Sequence, residues 1–118
     1  VDSEELLINE ECTRLVNRGI ESKKRIVAIG TTSLRGLENS VSTTQTLKPF
    51  QGWTNKFIYP KFDFQIADAL LTNFQTPQST LLMTTSAFAG HELTMEAYQE
   101  AIKEKYRFFA YGDALLVL

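Results

Sequence analysis

Arg25-Ile26-Val27-Ala28-Ile29-Gly30-Thr31-Thr32-Ser33-Leu34-Arg35 decides the architecture of this chain. The run from Arg25 to Ile29 is β-branched and apolar without polar alternation, which fits a strand covered on both faces, as in a parallel sheet. Gly30 ends it. Thr31, Thr32 and Ser33 then supply hydroxyls where a helix should start, and Leu34, Leu37 and Val41 give that helix one apolar face.

The same alternation continues upstream. Glu5-Leu6-Leu7-Ile8 reads as a short strand. Asn9 is a suitable helix N-cap, because its side-chain oxygen can accept a free first-turn N–H. Glu10 and Glu11 follow at the positive end of the helix dipole. Cys12, Leu15, Val16 and Ile20 recur at helical spacing, with Cys12 read as a small core residue and the helix ending near Ser22.

Downstream, residues 42–56 are rich in Ser, Thr, Gln and Gly and read as an irregular connection pinned by Phe50 and Trp53. Phe57-Ile58-Tyr59 reads as a strand ended by Pro60. Phe62, Phe64 and Ile66 alternate with Asp63 and Gln65, the signature of a half-buried strand, so a hairpin here would make the sheet mixed. An apolar segment from Asp68 to Thr72 leads to a loop from Asn73 to Pro77. Ser79 can cap a helix through Leu81, Leu82, Met83, Ala87 and Phe88, with Gly90 ending it. A second helix carries Leu93, Ala97, Tyr98, Ala101 and Ile102. Tyr106 to Tyr111 reads as an aromatic strand, Gly112-Asp113 as a turn, and Leu115 to Leu118 as a last strand.

Strand–helix alternation favours an α/β fold with a largely parallel or mixed sheet flanked by helices. Ligands of such sheets bind beyond the carboxyl ends of the strands. Three polar clusters fall at such places: Thr31 to Ser33, Asn73 to Ser79, and Gly112-Asp113. They are expected to converge on one cleft.

Composition sets the bounds. The 118 residues suit one small domain, and 43% hydrophobic with 22% charged residues is ordinary for a globular chain. A net charge of -2 provides no global field for nucleic acid. Any RNA contact must use a local patch, and the candidates are Lys23, Lys24 and Arg25, or Lys103, Lys105 and Arg107. One cysteine excludes an internal disulfide and a Cys-rich metal site, and fits a reducing, cytoplasmic setting. No apolar run approaches a membrane span. The acidic start without Met suggests an excised segment. Neither a Gly-x-Gly-x-x-Gly loop nor a Walker lysine motif is present.

Four segments together resemble one known family. They are Ile29-Gly30-Thr31-Thr32-Ser33-Leu34-Arg35; Phe57-Ile58-Tyr59-Pro60; Asp68 to Phe74 continuing through Pro77, Ser79 to Met83 and Ser86 to Gly90; and Tyr106 to Ala114. In that order and spacing they are similar to the S-adenosylmethionine:tRNA ribosyltransferase-isomerases of queuosine biosynthesis. The resemblance implies that residues 1–118 are the C-terminal α/β part of a longer catalytic domain, whose upstream half and inserted β domain lie outside this sequence. The fragment alone is then expected to be inactive.

The implied reaction transfers and isomerises the ribosyl moiety of S-adenosylmethionine onto 7-aminomethyl-7-deazaguanine in tRNA, giving epoxyqueuosine and releasing adenine and methionine. S-Adenosylmethionine is a substrate, so no cofactor and no metal are implied, and the partners are tRNA and that sulfonium nucleoside. The site needs a base near the acidified C5′–H and polar groups for the ribose and the amino-acid tail. Asp68 and Asp113 are the acids within the matching segments, and each is a candidate base or ribose ligand. Thr31, Thr32, Ser33, Arg35, Asn73, Gln75, Ser79 and Thr80 are candidate substrate contacts; helix capping is the plain alternative for the hydroxyls, and surface exposure for Arg35. The family usually has His where Gln75 stands. Gln cannot exchange a proton near neutral pH, so a divergent paralogue that binds tRNA or a nucleotide without turnover is the second reading. His91 reads as a cap or surface residue. Phe88, Phe108, Phe109 and Tyr111 read as core before base-stacking groups.

Overall fold

A computed structural model describes residues 4–54, 63–74, 80–107 and 113–118, with only the backbone of residues 4, 80 and 81. The elements are β1 (Glu4–Ile8), α1 (Glu10–Glu21), β2 (Val27–Ile29), α2 (Thr31–Asn39), β3 (Phe50–Thr54), β4 (Ala69–Asn73), α3 (Thr80–Ala89), α4 (His91–Lys103) and β5 (Ala114–Val117). They build two sheets. β1 and β3 form an antiparallel ribbon, and β2-β4-β5 form a mixed sheet with β4 in the middle. β2 runs parallel to β4, with Ala28 opposite Leu70, and β5 runs antiparallel to it, with Asn73 opposite Ala114. The α/β architecture with a mixed sheet is the expected one.

Local chemistry explains the helix ends. The Asn9 side chain accepts a hydrogen bond from the Cys12 N–H at 2.8 Å, which is the N-cap of α1. Gly30 and Gly90 precede α2 and α4 with φ of 93° and 94°, a backbone region that side chains with a Cβ avoid. Neither helix has a side-chain N-cap. His91 is therefore the exposed first residue of α4, and Gly90 holds the cap position.

The core lies on one side of the mixed sheet. Ala28 and Leu70 project from β2 and β4 onto Leu34 of α2, with Ala67 beside them and Phe64, Phe88 and Val117 at the edge. Phe64 and Phe88 meet edge to face at 5.0 Å. A second cluster joins Phe74, just after β4, to Leu82, Tyr98 and Ala101 of the α3–α4 pair. Burying a Leu or Phe side chain contributes about 1.5–3 kcal/mol each, so these two clusters dominate the local stability.

Several features differ from the sequence reading. Residues 50–54 form β3, not an irregular connection: its backbone pairs with β1 from Glu4↔Thr54 to Ile8↔Phe50. The expected strand around Phe64 and Ile66 does not form among residues 63–68. The Glu38 carboxylate accepts hydrogen bonds from the N–H groups of Gln65, Ile66 and Ala67 at 2.6, 3.0 and 3.1 Å, so those donors are unavailable to a neighbouring strand. Phe57 to Pro60, and all of the expected aromatic strand except Tyr106 and Arg107, lie outside the described residues; those two are not in a strand. Cys12 is exposed, not core. β2 is covered on one face only. Ala28 is 2% exposed, whereas Val27 and Ile29 on the other face are 48% and 68% exposed.

Candidate functional site

Sheet topology brings the described members of the three polar clusters, Thr31 to Ser33, Asn73 and Asp113, to one end. Parallel pairing sets Ile29 beside Leu71, and the Gly30 N–H donates to the Leu71 carbonyl at 2.7 Å, so Thr31 emerges level with Asn73. Antiparallel pairing sets Ala114 beside Asn73, so Asp113 emerges there too. Neighbouring strands lie about 4.8 Å apart, so the row from the start of α2 through Asn73 to Asp113 spans roughly 10 Å. This is the carboxyl end of β2 and β4, where open α/β sheets place ligands.

The groups on this rim differ in accessibility. Thr31 is buried, while Thr32 and Ser33 are exposed on the first turn of α2. With Gly30 at the cap position and no capping side chain, the first N–H groups of α2 remain open to an acceptor at the positive end of the helix dipole. Gly30, and none of these hydroxyl residues, holds the N-cap position. Arg35 is only 4% exposed and is enclosed by protein, so it is not a surface arginine. Asn73 is exposed at the end of β4, and Phe74 anchors the chain immediately after it, edge to face with Tyr98 at 5.2 Å and Tyr106 at 5.8 Å. Thr80 opens α3, while Gln75 and Ser79 lie outside the described residues. The aromatic anchor was missed in the sequence, where Phe74 reads as a loop residue.

Asp113 is fixed at the rim by Arg107. Its Oδ2 accepts from the Arg107 backbone N–H and lies 3.3 Å from the guanidinium Nε. The backbone N–H of Arg107 and its nearby cation hold the Asp113 carboxyl below the usual carboxylate range. Both contacts use Oδ2.

Asp68 is not part of this constellation. It precedes β4, and its Oδ2 accepts the Ile26 N–H at 2.8 Å while its own N–H donates to the Ile26 carbonyl at 2.7 Å. Five residues of extended chain separate it from Asn73, roughly 16 Å. The direction of β4 alone carries this signal, because a residue ahead of a parallel strand lies at the end opposite the ligand side. Among the described residues, no group of three or more His, Cys, Asp or Glu side chains is arranged to hold a metal ion.

Known proteins share this fold and sequence. The family model described as "Queuosine biosynthesis protein" matches residues 1–117. The S-adenosylmethionine:tRNA ribosyltransferase-isomerase of Flavobacterium psychrophilum is 58% identical over 118 residues, which are 100% of this chain and 34% of that protein. The protein of the same name from Parabacteroides distasonis is 51% identical with the same coverage. The crystal structure of S-adenosylmethionine tRNA ribosyltransferase from Thermotoga maritima superposes with a TM-score of 0.86 at 46% identity, covering 95% of this chain and 40% of that one. The chain thus spans about a third of the length of the curated relatives it matches.

Proposed function

This chain belongs to the queuosine biosynthesis protein family, and on that premise we propose that it is the C-terminal α/β part of an S-adenosylmethionine:tRNA ribosyltransferase-isomerase. The observation that carries the reading is the row of Thr32, Ser33, Asn73 and Asp113 along one end of the mixed sheet, in a chain of this family. The substrates are S-adenosylmethionine and a tRNA bearing 7-aminomethyl-7-deazaguanine.

In this reading the open N–H groups of α2, with the Thr32 and Ser33 hydroxyls, take the carboxylate or ribose hydroxyls of the sulfonium nucleoside. Thr31 and Arg35 are both buried, and this reading gives them a positioning role. Asn73, exposed at the centre of the row, is a substrate contact in this reading. Asp113, ionised and clamped, accepts from ribose hydroxyls through Oδ1; a carboxylate with lowered basicity is a poor choice for removing a C–H proton. Asp68 serves the fold, not the reaction. The proton-abstracting base is then neither Asp68 nor Asp113, and Gln75, Ser79 and Thr80 stay substrate-contact candidates on the sequence alone. The reaction proceeds with neither a cofactor nor a metal.

The two thirds of the relatives' length that this chain does not span covers the bare face of the sheet. Parallel pairs are normally buried on both faces, yet Ile29 is 68% and Leu116 55% exposed here. A hollow of about 390 Å³ beside β2 is walled by Leu7, Cys12, Val16 and Ile29. Ile29→Asp in the longer protein should lower its melting temperature by several degrees, since a carboxylate would enter an apolar interface. An unchanged melting temperature would leave that face uncovered. No helix of the described residues is long and apolar enough to cross a membrane, and a cytoplasmic site of action is part of this proposal.

The test is the full-length protein with S-adenosylmethionine and tRNA carrying the deazaguanine base. Release of adenine and methionine in step with a mass gain on the tRNA is the expected result. Binding of both substrates without adenine release would replace this reading with the non-catalytic paralogue suggested by Gln75, and Gln75→His would then be the variant to assay. The relatives' names, at 49–58% identity, favour the enzyme.

A further inference from the structure

The cations of this chain are unevenly placed. Arg14, Arg18, Lys23, Lys24 and Arg25 fall within residues 14–25 against the one anion Glu21, in a chain whose net charge is -2. All five are exposed, and among the described residues none of them forms an ion pair. A helix C-terminus accounts for a single cation, which Arg18 supplies in the last turn of α1. It does not account for the run that continues past the helix, nor for Arg14 one turn earlier.

Backbone geometry adds a second observation. After the Ser22 cap the chain reverses through hydrogen bonds from Lys23 N–H to the Ile20 carbonyl at 3.1 Å and from Lys24 N–H to the Gly19 carbonyl at 2.8 Å. Lys23 takes the left-handed conformation, φ 58°, at a position where Gly or Asn is the usual occupant. A cation stands there at a conformational cost that Gly would avoid. The turn forms one wall of an open depression of about 480 Å³ bounded by Lys23, Lys24, Arg25, Gln65 and Asp68. The one carboxylate in it, Asp68, is tied to the Ile26 N–H and forms no ion pair with these cations.

We infer that this surface, the outer side of α1 and the α1–β2 turn, docks the phosphodiester backbone of the RNA substrate. The inference rests on the tRNA reading above and extends it to a surface at the other end of the sheet. Arg14 and Arg18 lie roughly 6 Å apart along the helix axis, and Lys23 to Arg25 prolong that line, an array suited to a linear polyanion. The surface lies roughly 16 Å from the polar rim, a distance that a folded RNA with its target base at the rim readily exceeds. Phosphate contacts of this kind position the substrate without reading its sequence.

The experiment is tRNA binding by the full-length protein across a salt titration, comparing wild type with Lys23→Gln/Lys24→Gln/Arg25→Gln. A Kd raised about ten-fold at low salt, and a salt slope reduced by about two to three, are expected from the loss of three phosphate contacts. The charge-retaining variant Lys23→Arg/Lys24→Arg/Arg25→Lys should keep the wild-type slope. Wild-type affinity and slope in the Gln variant would overturn the docking surface and leave the enzyme reading intact. A weaker Kd with an unchanged slope would also overturn it, because the effect would not be electrostatic. A wild-type protein that binds no tRNA would overturn this inference and the function on which it rests.

Discussion

The two ends of the mixed sheet use the same side-chain chemistry for opposite purposes. At the end where β4 begins, carboxylates are consumed by the backbone. Glu38 holds three consecutive N–H groups and Asp68 holds a fourth, and both fasten loops that have no sheet partner. At the end where β4 finishes, polar groups stand at the surface. The first N–H groups of α2 have no side-chain cap, Thr32, Ser33 and Asn73 are exposed, and Asp113 is steadied by Arg107 through one oxygen only. A carboxylate that satisfies buried donors is structural; one that is oriented but not exhausted can meet a ligand.

The sharpest break of that comparison is Glu38→Ala. Glu38 is 3% exposed, and its loss would strand several enclosed N–H donors. A destabilisation of about 3–5 kcal/mol is expected, measurable by denaturant unfolding of the full-length protein. A loss below about 1 kcal/mol would mean that water replaces the carboxylate and that this end is not fastened as described.

A second contrast sets Asp113 against Asp68. In the longer enzyme Asp113→Asn should raise KM for S-adenosylmethionine about ten-fold, the effect of one charge-assisted hydrogen bond, while Asp68→Asn should stay within about two-fold. Steady-state kinetics decide, and equal losses from both variants would erase the distinction between the ends.

The smallest effect is on pH dependence. Because Asp113 has its carboxyl lowered in the folded protein, its tie to Arg107 is fully present above the usual carboxylate range and is lost as pH falls through the lowered value. Protection of the Arg107 amide from hydrogen exchange should therefore decline only in strong acid. Asp113→Asn should remove that acid-dependent step; a decline already at mildly acidic pH in the wild type would contradict the clamp.

The sequence made much of this legible where the signal is local. The Asn9 cap, the 3.6-residue periodicity of α1 and α4, and the apolar run into Gly30 all follow from neighbours within a few positions. β3 was not legible, because Phe50-Gln51-Gly52-Trp53-Thr54 carries Gly and Gln and becomes a strand only by pairing with β1. The alternation around Phe64 suggested a strand for the converse reason: nothing nearby announces that a glutamate 27 to 29 residues earlier takes those N–H groups. The exposure of Cys12 and Ile29 was also out of reach, since an apolar residue reads as buried whether or not its cover is present.

By itself the sequence determined the family, the strand–helix order and the identity of the polar turns, since each rests on residue types at short spacing. Only the tertiary structure decided which turns meet. The parallel register of β2 on β4 and the antiparallel register of β5 gather Thr32, Ser33, Asn73 and Asp113 at one rim and send Asp68 to the other. Strand direction is a property of pairing between distant segments, and no local pattern encodes it.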